Sequence, residues 1–598
     1  MRTQIHQLMT TAIQSFQLGK IDDAELILID ILKHQPKNFD ALHTLGVIKG
    51  IKSQHREALE LFKKALRIDT SNSYLHFNIA KAFSTIGENE KALKYHLNAT
   101  KLNPSDQQGW LNYGISLLNL GRVNEALDIF NKSIDLNSQY AEAWTNRVVA
   151  LQKLKLFEEA LLSLDEALRI NPLLAEAHSN RGNVLKDLKR IEESLASYDR
   201  AIEIRPDYAD AHYNRGIALS ELKRFEQAVA SYEMAIEIRP DYADAHYNRG
   251  IALSELKRFE EAVASYEKAI EIIPDFPGAH FNKSLHLLMA GKFDEGWELH
   301  EWRWKNEKSE LKKRNFSQPL WLGADDIAGK TLLLHAEQGL GDTIQFCRYA
   351  KLVKERGARL LLEVPKALLG LLSGLEGVDE FVESGEALPS FDYHCPLMSL
   401  PLAFNTALES IPNKIPYIHS NINNQNKWQE RIGGAGFKIA ICWQGSTKGK
   451  VDVGRSFPVS LFESLAQIDG VRLISLQKNE GVEQLMNLPA GMIVEALPDD
   501  FDSGENAFLD SAAVMKCMDL VITSDTALTH LAGALGVKTW LPLKYVPDWR
   551  WMLDRSDSPW YPNHRLFRQK TSDDWISVFK EMEKELKSLV STKSTTKK

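Results

Sequence analysis

The sequence predicts an α-helical solenoid followed by an α/β region of two lobes. Three observations carry this. The first half of the chain is self-similar at a period of 34 residues. After about residue 310 the rhythm changes to strand–loop–helix–strand units. Finally, 598 residues exceed what one ordinary core can organise, so at least two domains are expected.

The repeat is plainest in "YADAHYNRGIALSELKRFEQAVASYEMAIEIRPD" (208–241), which is followed by a near copy at 242–275. Eight units start near residues 5, 39, 73, 107, 141, 175, 209 and 243. Small residues recur at Ala58, Ala92, Ala126, Ala160, Ser194, Ala228 and Ala262, and prolines at Pro36, Pro104, Pro172, Pro206, Pro240 and Pro274. Each unit reads as two amphipathic helices. The small residue lets them approach, and the proline ends the second before the next unit begins. A ninth, irregular unit, "GAHFNKSLHLLMAGKFDEGWELHEWRW", reads as a cap whose aromatics face the next domain. The period is that of tetratricopeptide repeats, so residues 1–310 are expected to form a TPR superhelix.

One position stands out within the units. Asn78, Asn112, Asn146, Asn180, Asn214, Asn248 and Asn282 are each 34 residues apart, in the helix that lines the concave face of such a superhelix. A primary amide donates and accepts at once, which matches a peptide backbone. The ladder is therefore read as a binding surface for a protein or peptide. The competing reading, that each amide bonds within or between repeats, stays open.

In the second half, "KTLLLHAEQGLGDTIQFCRYAKLVKERGARLLLEV" is a βαβ unit. A second series runs through "FKIAICWQG", "VRLISLQ", "DLVITS" and "VKTWLPL", with helical segments between. Two lobes are expected, at 325–425 and 436–590, separated by the Asn- and Pro-containing linker "NTALESIPNKIPYIHSNINNQ". A last helix from about Asp573 to Val590 should pack back on one lobe, with 591–598 a disordered tail.

Bulk properties exclude several classes. A formal charge of −8 is small for this length and lacks the basic excess of a nucleic-acid binder. No run of 18 apolar residues suits a membrane span, and the N-terminus lacks the apolar stretch of a secretory signal. Cys347, Cys395, Cys442 and Cys517 lie far apart without zinc spacing, and read as reduced thiols of a cytoplasmic protein.

Three loops follow strands, where open α/β sheets bind ligands. In "HAEQGLGDTIQF" Gly339 and Gly341 permit close backbone approach, and Asp342 opens a helix, as an N-cap or as a working carboxylate. In "ICWQGSTKGKVDVGRSFP" Trp443 and Gln444 leave the strand, while Lys448, Lys450 and Arg455 either face a diphosphate or lie on a solvated turn. Arg455 is preferred among them, since guanidinium grips phosphate bidentately. In "DLVITSDTALTHLAGALGVKTW" the strand ends at Ser524, Asp525 and Thr526, and a helix runs from Ala527 to about Leu535 with His530 in its first turn. The free N–H groups of that helix start favour an anion. A capped helix with a packed histidine is the plainer reading.

At these residues the chain resembles glycosyltransferase family 9, the bacterial heptosyltransferases. "DLVITSDTALTHLAGALGVKTW" looks like the family's nucleotide-sugar motif, and "GLGDTIQF" its Gly-Asp loop. "GRSFP" stands where the family has a basic phosphate contact, and "YVPDWRWMLDRSDSPWYPNHRLFRQ" is similar to bacterial tetratricopeptide proteins with such a domain. The resemblance covers about residues 325–585 and implies a GT-B fold of two Rossmann-like lobes. It implies Asp342 as catalytic base, with Gly339, Gly341, Trp443, Gln444, Arg455, Ser524, Asp525, Thr526, Ala527 and His530 around the donor. Ala527 replaces the family's glycine. The implied activity is inverting and metal-independent, with a nucleotide sugar as donor substrate and no cofactor. The architecture also resembles that of protein O-GlcNAc transferases. The competing reading is a non-catalytic adaptor with a degenerate transferase domain.

Overall fold

The computed structural model describes residues 2–306, 311, 313–447, 454–505 and 507–596. The chain divides into two compact units, Met1–Ala252 and Leu253–Lys598. The repeat pattern runs past this division, so the last repeats belong to the same compact unit as the α/β region, which the sequence reading begins only after residue 310.

Among the described residues, nine helix pairs follow the 34-residue register, from Arg2–Gln17 and Ile21–His34 to Pro277–Met289 and Phe293–His300. The turn inside each pair needs one left-handed residue. Glycine supplies it at Gly19, Gly87, Gly121 and Gly291, whereas Ser53, Lys155, Lys189, Lys223 and Lys257 adopt it with φ of 58–62°. Shape locks the two helices of a pair together. A Cβ on Gly216 would lie 2.5 Å from the Tyr232 ring, and one on Gly182 2.4 Å from that of Tyr198. Adjoining pairs are stapled by arginines in a single register. Arg215 Nε donates to Asp199 at 2.6 Å and Nη1 to Ser231 at 2.6 Å. Arg147 and Arg181 make the equivalent bonds to Asn131 and Ser163, and to Asp165 and Ser197. First helices of neighbouring pairs touch, as Gln107–Asn119 does Ala141–Lys153, and Ala175–Asp187 does Ala209–Glu221. Within the first unit these helices lie on one side of the stack.

The second unit carries two all-parallel sheets. Strands β1 (Thr331–His335), β2 (Arg359–Val364), β3 (Glu380–Glu383) and β4 (Tyr393–Pro396) are ordered β3-β2-β1-β4. Strands β5 (Phe437–Cys442), β6 (Val471–Ser475), β7 (Val494–Glu495), β8 (Leu520–Thr523), β9 (Thr539–Leu543) and β10 (His564–Arg568) are ordered β10-β9-β8-β5-β6-β7. Counted from β5, that is the 3-2-1-4-5-6 order of a doubly wound sheet. The order reverses between β1 and β4 and between β5 and β8, the places where open sheets leave a crevice for ligand.

The linker is packed: Ile411 and Ile418 are buried and Tyr417 N–H donates to Ala534 O at 3.0 Å. Its apolar residues cover the end of the helix Ala527–Ala534. The final helix, Trp575–Thr596, continues through 591–596, where a disordered tail was expected, because no helix breaker follows Val590. Residues 597–598 lie outside the described residues.

Candidate functional site

Parallel strands deliver their following loops to one edge of a sheet. In the second unit, the loop after β1 and the loop after β8 meet. A Cβ on Gly341 would stand 2.9 Å from His530 Cδ2 and 3.2 Å from Ala527 Cα, so only glycine allows this approach. Gly339, Gly341, Asp342, Asp525, Thr526, Ala527 and His530 thus gather at one place, although nearly two hundred residues separate the two motifs.

Asp342 has both oxygens engaged. Oδ2 accepts from Gly339 N–H at 3.0 Å, which caps the helix Leu340–Phe346. Oδ1 accepts from Arg550 Nη2 at 2.5 Å. Arg550 is buried and also donates from Nη1 to Asp548 at 2.9 Å and from Nε to Gln345 at 2.7 Å. Burial raises the Asp342 carboxyl above the ordinary aspartate range, and the Arg550 charge offsets only part of that rise. Burial also works against the charge on Arg550, but Asp548 and Asp342 outweigh it and hold the guanidinium protonated.

The helix Ala527–Ala534 starts without a side-chain cap: Thr526 is the N-cap residue and its side chain makes no cap bond. Just ahead, Ser524 is fully buried and its hydroxyl has no partner among the described residues. Asp525 Oδ2 accepts from Trp551 Nε1 at 2.8 Å, and its backbone oxygen accepts from Arg455 Nη1 at 3.2 Å. Burial pushes the Asp525 carboxyl up to about 6, with Asp548 adding to the rise. His530 is buried, bonded through Nδ1 to Tyr561 at 3.0 Å and stacked on Trp551 at 5.7 Å. Burial first, and then Arg550, lower its pKa far below the ordinary value, so it is a neutral ring.

The second loop divides. Arg455 lies over Gly445, whose missing Cβ leaves room for the guanidinium. Gln444 turns away: its backbone N–H donates to Gln477 and its side-chain oxygen accepts from Gln484. Trp443, expected near the donor, is instead fully buried in the core of the larger sheet with Phe457 and Phe462, its Nε1 donating to Gly481 O at 3.2 Å. An indole leaving a buried strand gains more from that core than from a wet loop. Lys448 and Lys450 lie outside the described residues.

Arg550, Asp548, Trp551 and Tyr561 were not singled out from sequence, although the run "PDWRWMLDRSDSPWYP" is unusually rich in aromatic and charged residues. Nothing local says that such a run folds back onto a loop two hundred residues earlier. The four cysteines are free and buried, and burial pushes the Cys442 thiol up to about 11.

The asparagine series divides by what stands one repeat earlier. Asn78 bonds His43 and Asn248 bonds Tyr213, both at 2.8 Å. Asn112 and Asn146 have apolar residues at that place (Phe77 and Leu111) and donate to their own helix, to Gln108 O and Glu142 O. Asn180 and Asn214 are half-buried and face Thr145 and Ser179 in the register. At least four of the seven amides therefore serve the fold.

Residues 77–141, 141–172 and 243–276 match family profiles described as tetratricopeptide repeat, and 182–223 and 218–257 one described as TPR repeat. The chain carries tetratricopeptide repeats across about 77–276. Among curated proteins it is similar to protein FlbA of Caulobacter vibrioides, 25% identical over 305 residues, which are 47% of this chain and 50% of that protein. The chain thus spans about half the length of the curated relative it matches. Solved structures that it resembles include YrrB, described as a TPR protein with an unusual peptide-binding site, at 25% identity, 32% of this chain, 98% of that one and a TM-score of 0.27. A tetratricopeptide repeat protein from Parabacteroides merdae aligns at 18% identity over 42% of this chain and 98% of its own, with a TM-score of 0.38.

Proposed function

We propose that the second unit is a GT-B glycosyltransferase that moves a sugar from a nucleotide sugar to an acceptor hydroxyl. The observation that carries this reading is the uncapped start of the helix Ala527–Ala534 beside a buried, unpartnered Ser524 hydroxyl. That is an arrangement for an anion with several oxygens, such as a diphosphate. Asp342 enters the same place from the other sheet.

In this reading Asp342 exchanges its Arg550 contact for the acceptor hydroxyl and takes its proton. The hydroxyl oxygen attacks the anomeric carbon from the face opposite the leaving group, and the carbon–oxygen bond to the diphosphate breaks. The helix start and Arg455 stabilise the charge that develops on the departing nucleoside diphosphate. His530, being neutral, adds no charge and orders the helix turn through Tyr561. The acceptor is a protein or peptide held along the first helices of the repeats, where Asn180 and Asn214 are the amides to test first. Each would contribute about 0.5–1.5 kcal/mol of net binding.

Thermal shift against UDP, GDP, ADP and dTDP in EDTA tests the donor site. One of them should raise the melting temperature, and Arg455→Ala should weaken that rise. Asp342→Asn should then lower transfer by about 10²–10⁴-fold with nucleotide binding kept. A chain that no nucleoside diphosphate stabilises is not a transferase of this kind.

A further inference from the structure

We infer that Arg303, which follows the last repeat helix, is a positioning residue for the loop that carries Asp342. The last repeat then sets where the candidate base stands. The inference rests on the reading of Asp342 given above.

Arg303 is almost fully buried, an unusual place for a guanidinium, and its donors are all directed. Nη2 donates to both oxygens of Glu337 at 3.1 Å and to Ser399 at 2.7 Å, and Nε to Glu337 at 3.3 Å. Nη1 donates to Glu301 at 2.5 Å. Glu337 also accepts from Met398 N–H at 3.0 Å, so its carboxylate is held on three sides. It sits two residues before Gly339, whose N–H is the cap partner of Asp342. One oxygen of Asp342 is therefore placed by a loop that Arg303 anchors.

The other oxygen is reached from the same repeat by a second route. Trp297 packs edge-on against Trp549 with ring centroids 5.3 Å apart, and its Nε1 donates to Thr406 O at 2.9 Å. Trp549 immediately precedes Arg550, the partner of Asp342 Oδ1. His300 lies between the two routes, in ring contact with Trp297 and Trp549 and within hydrogen-bond distance of Arg303. The final repeat helix and the turn after it thus hold residues next to both partners of one carboxylate. A pair that only joined repeat to sheet would not need a fork aimed at the reactive loop.

Hydrogen–deuterium exchange of the full chain tests this without requiring turnover. Arg303→Met with Glu337→Gln removes both buried charges and keeps an acceptor for Met398 N–H. We expect amides 337–343 to exchange at least tenfold faster, with β1 still protected, and Arg303→Lys to fall between this variant and the wild type. Unchanged exchange in the loop overturns the inference. So does equal loss of protection in β1, which marks a purely structural pair. Should the double variant not fold, Arg303→Lys is scored by the same two segments. Nucleotide binding is measured separately: its absence in the wild type removes the proposed transferase, while the exchange result still decides whether Arg303 positions the loop.

Discussion

Arg215 in the repeats and Arg550 in the α/β unit each join a carboxylate to a neutral side-chain oxygen, in opposite settings. The Arg215–Asp199 pair lies at the solvent edge, with 30% and 51% of the side chains exposed. Equivalent arginines meet Asn131, Asp165 and Glu233 in other repeats, so the position tolerates a neutral partner. Arg550 is 9% exposed and divides its donors among Asp342, Asp548 and Gln345. In the repeats, shape carries the structure and charge trims it. In the α/β unit, charge has been taken out of water at the place where two loops converge, and that cost signals a use beyond packing.

The sharpest way to break this comparison is to remove both arginines separately. Arg550→Ala leaves Asp342 and Asp548 without their cation and should destabilise the second unit by about 3–5 kcal/mol. Arg215→Ala should cost about 0–1 kcal/mol. Denaturant melts followed by tryptophan emission, which the second unit dominates, and by helical circular dichroism would separate the two units. Equal losses would end the distinction.

Overpacking the repeats should fall between these values. Gly216→Ala drives a methyl into the Tyr232 ring, with an expected cost of about 1–3 kcal/mol. Truncating the ring as well, with Tyr232→Leu, should recover part of it. Absence of any coupling between the two changes would show that shape is not what joins the helices.

A pH series sharpens the other side. His530 is neutral in the fold because burial holds its pKa far below the usual value. Its contribution is therefore whole above an unfolded pKa of about 6.5 and declines as pH falls, by about 1.4 kcal/mol per pH unit. His530→Asn should be less stable than the wild type at neutral pH, and the gap should narrow below that point. A gap independent of pH would mean that the ring can accept a proton where it stands.

The smallest effect concerns the left-handed turn residues. Lys223 has φ 58° where other repeats use glycine, so Lys223→Gly should stabilise by about 0.5–1 kcal/mol. Loss of stability would assign the lysine side chain a contact that outweighs the backbone strain.

The repeat half of the fold was legible residue by residue because its information is local. A 34-residue period, a small residue at each close approach and a proline after six of the second helices all act within or between adjacent units. Strand–loop–helix alternation likewise announced the α/β region, and Gly339–Asp342 and Ser524–Thr526, each following a strand, marked the two loops that meet. What the sequence could not decide was partnership. Trp443 leaves a strand next to a polar loop, yet its ring is taken by the core, because burying an indole outweighs leaving it at the rim. Asn78 and Asn112 are the same residue in the same register, but one meets His43 and the other only its own helix. Asp342 is a cap from its local sequence and an ion-paired carboxylate from Arg550, which lies 208 residues onward. Secondary structure follows from neighbours a few residues away. The ionisation and freedom of a side chain follow from whichever distant groups the packed chain places against it, and only the tertiary structure supplies those.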